Sequence, residues 1–468
     1  MKKIALVTLG LIGAVVSADA QQFSADELTR RTIERRAVEV ANWGMPVVNF
    51  DRMAQAALGA KAAFNQIVYW SAFSDWKNQT LTPNPDTIYI KPFFDTKTAG
   101  PMVLEIPSAG DDGSITGTIM DCWQAALEDV GPAGADKGKG GKYLILPPGY
   151  KDTPPDGYIL LPSQNFKGFA LLRSIVKSGS SVDIAKAVEY GKRIKLYPLS
   201  QAASPPQTVF VDMIDVVFDA TIPYDMSFYE SLDRMVQSEP WLPRDKAMID
   251  MLKSIGIEKG KPFKPDAKTR KILVAAIGET SAWLSARYET VFTPFYGGGR
   301  WFFPAQDVMK EVAATFYETE NAYPIDARGL TDYWAFSTIK HLGAGQFYLM
   351  SINDKAGVAF DGGRTYRLTV PANVPARQYW SVVVYDRVTH AFIRNATRLS
   401  RSSQNPDIQN NADGSVDVYF GPKAPPGKQT NWVPTNSGKK FEVLFRVYAP
   451  EKAFFDKTWK LPDIAKFN

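Results

Sequence analysis

The chain has 468 residues, 45% of them hydrophobic and 22% charged, with a mean hydropathy of −0.20. That balance excludes an intrinsically disordered chain and leaves room for two or three domains, each with its own core. A formal charge of +5 on this length gives no case for a polyanionic partner such as nucleic acid, and one cysteine, Cys122, excludes an intrachain disulfide.

The N-terminus has the three parts of a secretory signal: basic Lys2 and Lys3, apolar Ile4–Val16, and the small-x-small site Ala18-Asp19-Ala20. The expectation is a signal peptide over residues 1–20, a mature chain starting at Gln21, and a periplasmic or secreted protein. No later stretch has the length and apolarity of a membrane span.

Ser24-Ala25-Asp26-Glu27 matches a capping box, and the apolar face that follows predicts a helix. Gly44 and Pro46 are expected to stop or kink it, with a second helical segment over 48–60, so that residues 21–62 form N-terminal helices.

Next comes the turn Thr82-Pro83-Asn84-Pro85-Asp86, whose prolines fix their own φ and restrict the residues before them. It leads into a strand over 87–94. Pro92 lacks an amide donor, so this strand is expected at a sheet edge or at a bulge. Further strands read over 102–106, 115–121, 143–146, 158–161 and 168–173, separated by turn clusters such as Pro147-Pro148-Gly149. This predicts an antiparallel first β-sandwich over 63–200, with a short helix over 181–193. The Gly-rich stretch 131–141 lacks the Gly-Lys-Ser/Thr ending of a phosphate loop and reads as a hairpin loop.

Residues 201–346 turn helical, with helices expected over 226–237, 244–255, 267–292 and 306–320. Strands return over 347–352, 365–370, 379–385, 415–420 and 441–448, which predicts a C-terminal jelly-roll-like sandwich over 347–468. The fold class is therefore mixed: mainly β, with a helical middle subdomain.

The motifs Asn84-Pro85-Asp86-Thr87-Ile88-Tyr89, Gly100-Pro101-Met102-Val103 and Met120-Asp121-Cys122-Trp123 resemble the bacterial domain of unknown function 1254. Tyr379-Trp380-Ser381-Val382, Asp413-Gly414-Ser415-Val416, Asn431-Trp432-Val433-Pro434 and Arg446-Val447-Tyr448-Ala449-Pro450 resemble its usual partner, domain 1214. The resemblance implies an immunoglobulin-like sandwich, a helical region and a jelly-roll-like domain, in that order. It implies no reaction.

Chemistry is sparse. His341 and His390 are the only histidines and read as structural hydrogen-bonders; no nucleophile–base pair, Gly-x-Ser-x-Gly elbow or metal-ligand cluster is present. No metal or cofactor is expected. Asp86 and Asp121, at strand ends, are the candidate catalytic carboxylates, as a glycosidase pair requires two such groups close together; as turn residues they equally cap local amides. Asn84, Asp86, Tyr89, Trp123, Asn431, Trp432 and Arg446 are the candidate ligand-binding residues, aromatic and polar groups suited to the floor of a cleft. Arg446 faces away from Phe445 and Val447 by alternation, which leaves it to pair with an acid such as Asp386. The leading expectation is an exported protein that binds a small or glycan-like ligand or an envelope partner. The alternatives are a carboxylate-dependent hydrolase and an envelope assembly or surface-structural protein. The oligomeric state is left open.

Overall fold

The structure, a computed structural model, describes residues 23–305, 307–336, 339–341 and 346–467. The expected signal peptide lies outside the described residues. No helix among them is long and apolar enough to cross a membrane.

Helix α1 (Ala25–Gly59) starts where the capping box predicts, with Ser24 Oγ accepting from Glu27 N at 3.2 Å. It is one continuous helix, and the expected break at Gly44 and Pro46 is not there. Every residue from Val40 to Asp51 is buried, so packing on all sides outweighs the proline's cost of about 3 kcal/mol.

The first β unit follows: β1 (Gln66–Tyr69), β2 (Asn78–Gln79), β3 (Ile88–Asp95), a short α2 (Thr96–Ala99), β4 (Met102–Ile106), β5 (Ile115–Asp121), β6 (Ala126–Val130), β7 (Gly141–Leu146), β8 (Ile159–Pro162) and β9 (Lys167–Ser174). Then come α3 (Ser181–Gly191), β10 (Lys195–Pro198), β11 (Phe210–Asp212) and β12 (Phe218–Asp219). One sheet runs β11-β1-β3-β9-β5-β6 and the other β10-β4-β7-β8. Their facing side chains, including Ile88, Ile90 and Phe94 against Met102, Leu104 and Ile145, form one core. The sheets are mostly antiparallel, but edge strands β11 and β8 pair in parallel with their neighbours.

Strand β3 is interior and its register with β9 keeps one offset throughout, which corrects the edge or bulge expected from Pro92. Pro92 sits opposite Ile67 of β1; on the other side the pairing to β9 runs Tyr89–Arg173, Ile90–Leu172, then Phe93–Phe169, skipping Lys91 and Pro92. The missing donor falls where the ladder is already open.

The middle region supplies α4 (Met226–Ser238), α5 (Met248–Ser254), α6 (Ala267–Thr290), α7 (Asp307–Val312) and α8 (Ile325–Trp334). Helix α8 was not expected from the sequence. The helix expected over 306–320 is shorter: beyond α7 there is one 3₁₀ turn, and then Phe316 and Tyr317 take positive φ (57° and 63°) and end it. Helices α4, α5, α6 and α8 all pack on α1, which makes it the axis of a helical layer.

The second β unit is β13 (Gln346–Ser351), β14 (Tyr366–Val370), β15 (Trp380–Asp386), β16 (Ser400–Ser402), β17 (Val416–Gly421), β18 (Trp432–Pro434), β19 (Phe441–Tyr448), α9 (Lys452–Phe455) and β20 (Ala465–Lys466). Its sheets run β13-β19-β15-β16 and β18-β17-β14-β20. On β19, Phe441, Val443, Phe445 and Val447 face the core between these two sheets. Alternation turns Glu442, Leu444, Arg446 and Tyr448 the other way, and Leu444 joins the core shared with α1 and the first sandwich. The first sheet of this unit is thus buried on both faces, and its second face meets the 82–86 turn.

Candidate functional site

The turn is held from within and from across the seam. Asn84 Oδ1 accepts the amide of Asp86 at 3.0 Å, and the Asn84 amide donates to the Tyr89 hydroxyl at 2.9 Å. From the second β unit, Tyr385 donates its hydroxyl to Pro83 O at 2.6 Å. Arg446 Nη2 donates to Thr82 O and to the Tyr385 hydroxyl, both at 2.7 Å. Tyr379 donates to Asp86 O at 3.2 Å, Ser400 donates to Asp86 Oδ1 at 3.0 Å, and Asn84 Nδ2 donates to the Tyr448 hydroxyl. Tyr379 and Tyr448 stack with ring centroids 3.9 Å apart. Burial raises the hydroxyl pKa of Tyr379, Tyr385 and Tyr448, so all three stay neutral donors.

Positive charge collects beside this turn. Alternation along β3 puts Tyr89 and Lys91 on one face, and cross-strand register sets Arg173 of β9 opposite Tyr89. Arg173 lies over the Tyr89 ring at 5.5 Å, and Arg446 over the half-buried Tyr348 ring at 4.7 Å. Lys91 is 0% exposed, with its amine between the rings of Phe336 (4.9 Å), Trp70 and Tyr89 (5.4 Å each) and Phe218 (5.5 Å). Among the described residues, Lys91 Nζ, Arg173 Nε and Arg446 Nε are buried without a hydrogen-bond partner. Burial, with Arg173 as a like charge, lowers the Lys91 pKa to about 7. The nearby carboxyl is Asp86, which burial raises to about 6 against the pull of Ser400 and Arg446, and its Oδ2 has no partner.

Of the residues singled out in the sequence, Asn84, Asp86, Tyr89 and Arg446 therefore converge on one seam. Arg446 is not paired with Asp386, whose carboxylate instead caps Val388 and Thr389 and meets Lys439 at 3.6 Å. The other four lie elsewhere. Asp121 Oδ1 accepts the amides of Trp123 and Ala125, both at 2.9 Å, closing its own turn. Burial raises its pKa, and the charges that act on it are Arg244 and Arg328, whereas Arg446 and Arg401 act on Asp86. Trp123 packs tilted against Trp43 (centroids 4.6 Å apart, planes at 49°) beside a cavity of about 10 Å³ that Glu239, Trp241 and Asp245 help to line. That space holds at most about one water. Asn431, in the turn before β18, clamps the backbone of Gln409 and Asp417, and Trp432, the first residue of β18 in the far sheet of the second unit, donates to Gly421 O at 2.8 Å.

Lys91, Arg173, Tyr348, Tyr379, Tyr385, Ser400 and Tyr448 are the members of the cluster that sequence reasoning missed. The available signal was a lone cation inside an apolar strand, as in Ile88-Tyr89-Ile90-Lys91 and Ala170-Leu171-Leu172-Arg173.

Residues 64–198 match the family described as a protein of unknown function, DUF1254, and residues 345–452 match a second, DUF1214, in the order read from the motifs. The chain belongs to the DUF1254–DUF1214 family. The VPA0106 protein from Vibrio parahaemolyticus is similar in fold, with a TM-score of 0.55 at 16% identity over 93% of this chain and 100% of that one. A putative uncharacterized protein from Burkholderia cenocepacia aligns over 94% of each chain at 11% identity, with a TM-score of 0.41. No curated protein sequence matches the chain. In this DUF1254–DUF1214 protein the seam takes Asn84, Asp86, Tyr89, Lys91 and Arg173 from the first matched domain. The second supplies Tyr348, Tyr379, Tyr385, Ser400, Arg446 and Tyr448. Neither domain holds the cluster alone.

Proposed function

We propose that this protein binds a small anionic ligand in the seam between its DUF1254 and DUF1214 domains, in the periplasm or outside the cell. The observation that carries the reading is the set of three buried cationic nitrogens, on Lys91, Arg173 and Arg446, that lack hydrogen-bond partners among the described residues. A buried charged donor left without an acceptor costs about 1–3 kcal/mol or more, and an anion with two or more acceptor oxygens would satisfy such donors. Guanidinium forks suit a carboxylate or phosphate, and neutral tyrosine hydroxyls suit its remaining oxygens. Export is supported by Lys2, Lys3, the apolar stretch Ile4–Val16 and Ala18-Asp19-Ala20.

Titration calorimetry of the mature chain against small mono- and dicarboxylates, inorganic phosphate and neutral oligosaccharides tests the reading. The expected result is heat from at least one anion, with Arg173→Gln weakening its affinity at least ~10-fold, the effect of losing one charge-assisted hydrogen bond. The melting temperature of this variant should stay close to that of the parent. Binding by neutral sugars alone would favour the glycan reading, and a panel silent throughout would favour an assembly role.

A further inference from the structure

Lys91 is unusual even within this cluster. A strand position buried on both sides calls for an apolar side chain, and its strand neighbours Ile90 and Phe93 satisfy that rule. Lys91 instead ends in an amine enclosed by four aromatic rings, with no carboxylate or carbonyl accepting from it among the described residues. The amine and Arg173 share the Tyr89 ring, with Nζ 5.4 Å from its centroid and the guanidinium carbon 5.5 Å, and Arg173 is the charge that acts on Lys91. Arg173 and Tyr348 are only half-buried and mark the side of the seam nearest solvent. A nucleophilic nitrogen therefore stands inward of the Arg173 guanidinium, on which the buried Arg446 also acts, and such groups suit a carboxylate.

We propose that Lys91 is a covalent site, whose ε-amine condenses with the carbonyl of a small 2-oxo acid held through its carboxylate by Arg173 and Arg446. This rests on the reading of the seam as an anion site. In the step, the nitrogen lone pair forms a C–N bond as the carbonyl π bond breaks. The carbonyl oxygen then leaves as water, carrying the two hydrogens of the amine, so amine plus carbonyl gives imine plus water with no change of oxidation state. An enclosed amine without an ion-pair partner is the form of lysine suited to this chemistry. The charged and titratable groups that face it are Arg173 on β9 and Tyr89 on its own strand; Trp70, Phe218 and Phe336 carry no charge. With a pKa of about 7, roughly half of Lys91 is neutral at pH 7, whereas an ordinary lysine is neutral at about four parts in ten thousand.

The test is reductive trapping of the mature protein at pH 7 with pyruvate or glyoxylate and sodium cyanoborohydride, read by peptide mass mapping. Lactate and acetaldehyde serve as controls, carrying the carboxylate alone and the carbonyl alone. The expected result is one adduct, on Lys91, formed at least ~10-fold faster than on any surface lysine, absent in Lys91→Met and slowed at least ~10-fold in Arg173→Gln. Wild-type mapping decides the matter even where a variant fails to fold. Calorimetric binding of lactate and pyruvate with no adduct on Lys91 would overturn this inference and leave the anion site standing. Equal trapping of acetaldehyde would overturn the oxo-acid class, and neither binding nor adduct would overturn both readings.

Discussion

At Lys91 the cost of burying an amine is measurable as stability. A buried lysine whose pKa is about 7 when folded, against about 10.4 when unfolded, holds fewer protons in the native state between those values. Wild-type stability therefore rises as the pH climbs from 7 toward 10, and its penalty is greatest below pH 7. Methionine at this position keeps the stem and removes the charge, so Lys91→Met should gain about 1–3 kcal/mol at pH 7 in urea unfolding. The gain should shrink toward zero near pH 10. A variant less stable than the parent at pH 7 would mean that the amine has a partner contributing to the fold. The same residue shows what a single sequence conveys. Its charge stands out in an apolar strand, but three of the four rings that enclose it come from Trp70 just after β1, from Phe218 of β12 and from Phe336 after α8, so its surroundings follow only from tertiary packing.

At the scale of elements, the capping box at Ser24 and most strands of both β units were legible, because their signals are local: a cap three residues from its partner, or a period of two. The failures have a common cause. Pro46 reads as a helix stop, yet α1 runs through it because helices α4, α6 and α8 cover the surrounding turns. Pro46 has no N–H for the carbonyl of Asn42, and Gly329 of α8 lies directly against that residue. A Cβ at Gly329 would come within 1.9 Å of Asn42 Oδ1 and 2.9 Å of Asn42 O. The long helix and the missed helix α8 thus explain each other, and neither is visible without its partner. Gly329→Ala should lower stability by about 1–3 kcal/mol, through forced separation of α8 from α1. Ordinary helix propensity predicts the reverse, a gain of up to about 1 kcal/mol for alanine over glycine, so chemical denaturation separates the two accounts by sign.

For the molecule as a whole, one apolar core joins α1, α4 and α6 to Phe169 and Leu171 of the first sandwich and to Val383, Tyr385 and Leu444 of the second. The seam closes it with polar contacts, and these depend on residues far apart in sequence. The residues read from the turn, Asn84, Asp86 and Tyr89, and the one read from alternation, Arg446, were found because each sits in an odd local setting. Tyr379, Tyr385 and Tyr448 look like ordinary strand aromatics until the turn is docked on them. If that docking is what holds the two matched domains together, Asn84 and Tyr448 should behave as a coupled pair. Asn84→Ala leaves the Tyr448 hydroxyl without its donor, and Tyr448→Phe leaves a buried amide without an acceptor, so each single change should cost about 1–3 kcal/mol. The double variant should cost less than the sum, with a coupling energy of about 0.5–3 kcal/mol. Strict additivity in equilibrium unfolding would mean that the turn is not energetically engaged with β19, and that the proposed anion site has no rigid wall on that side.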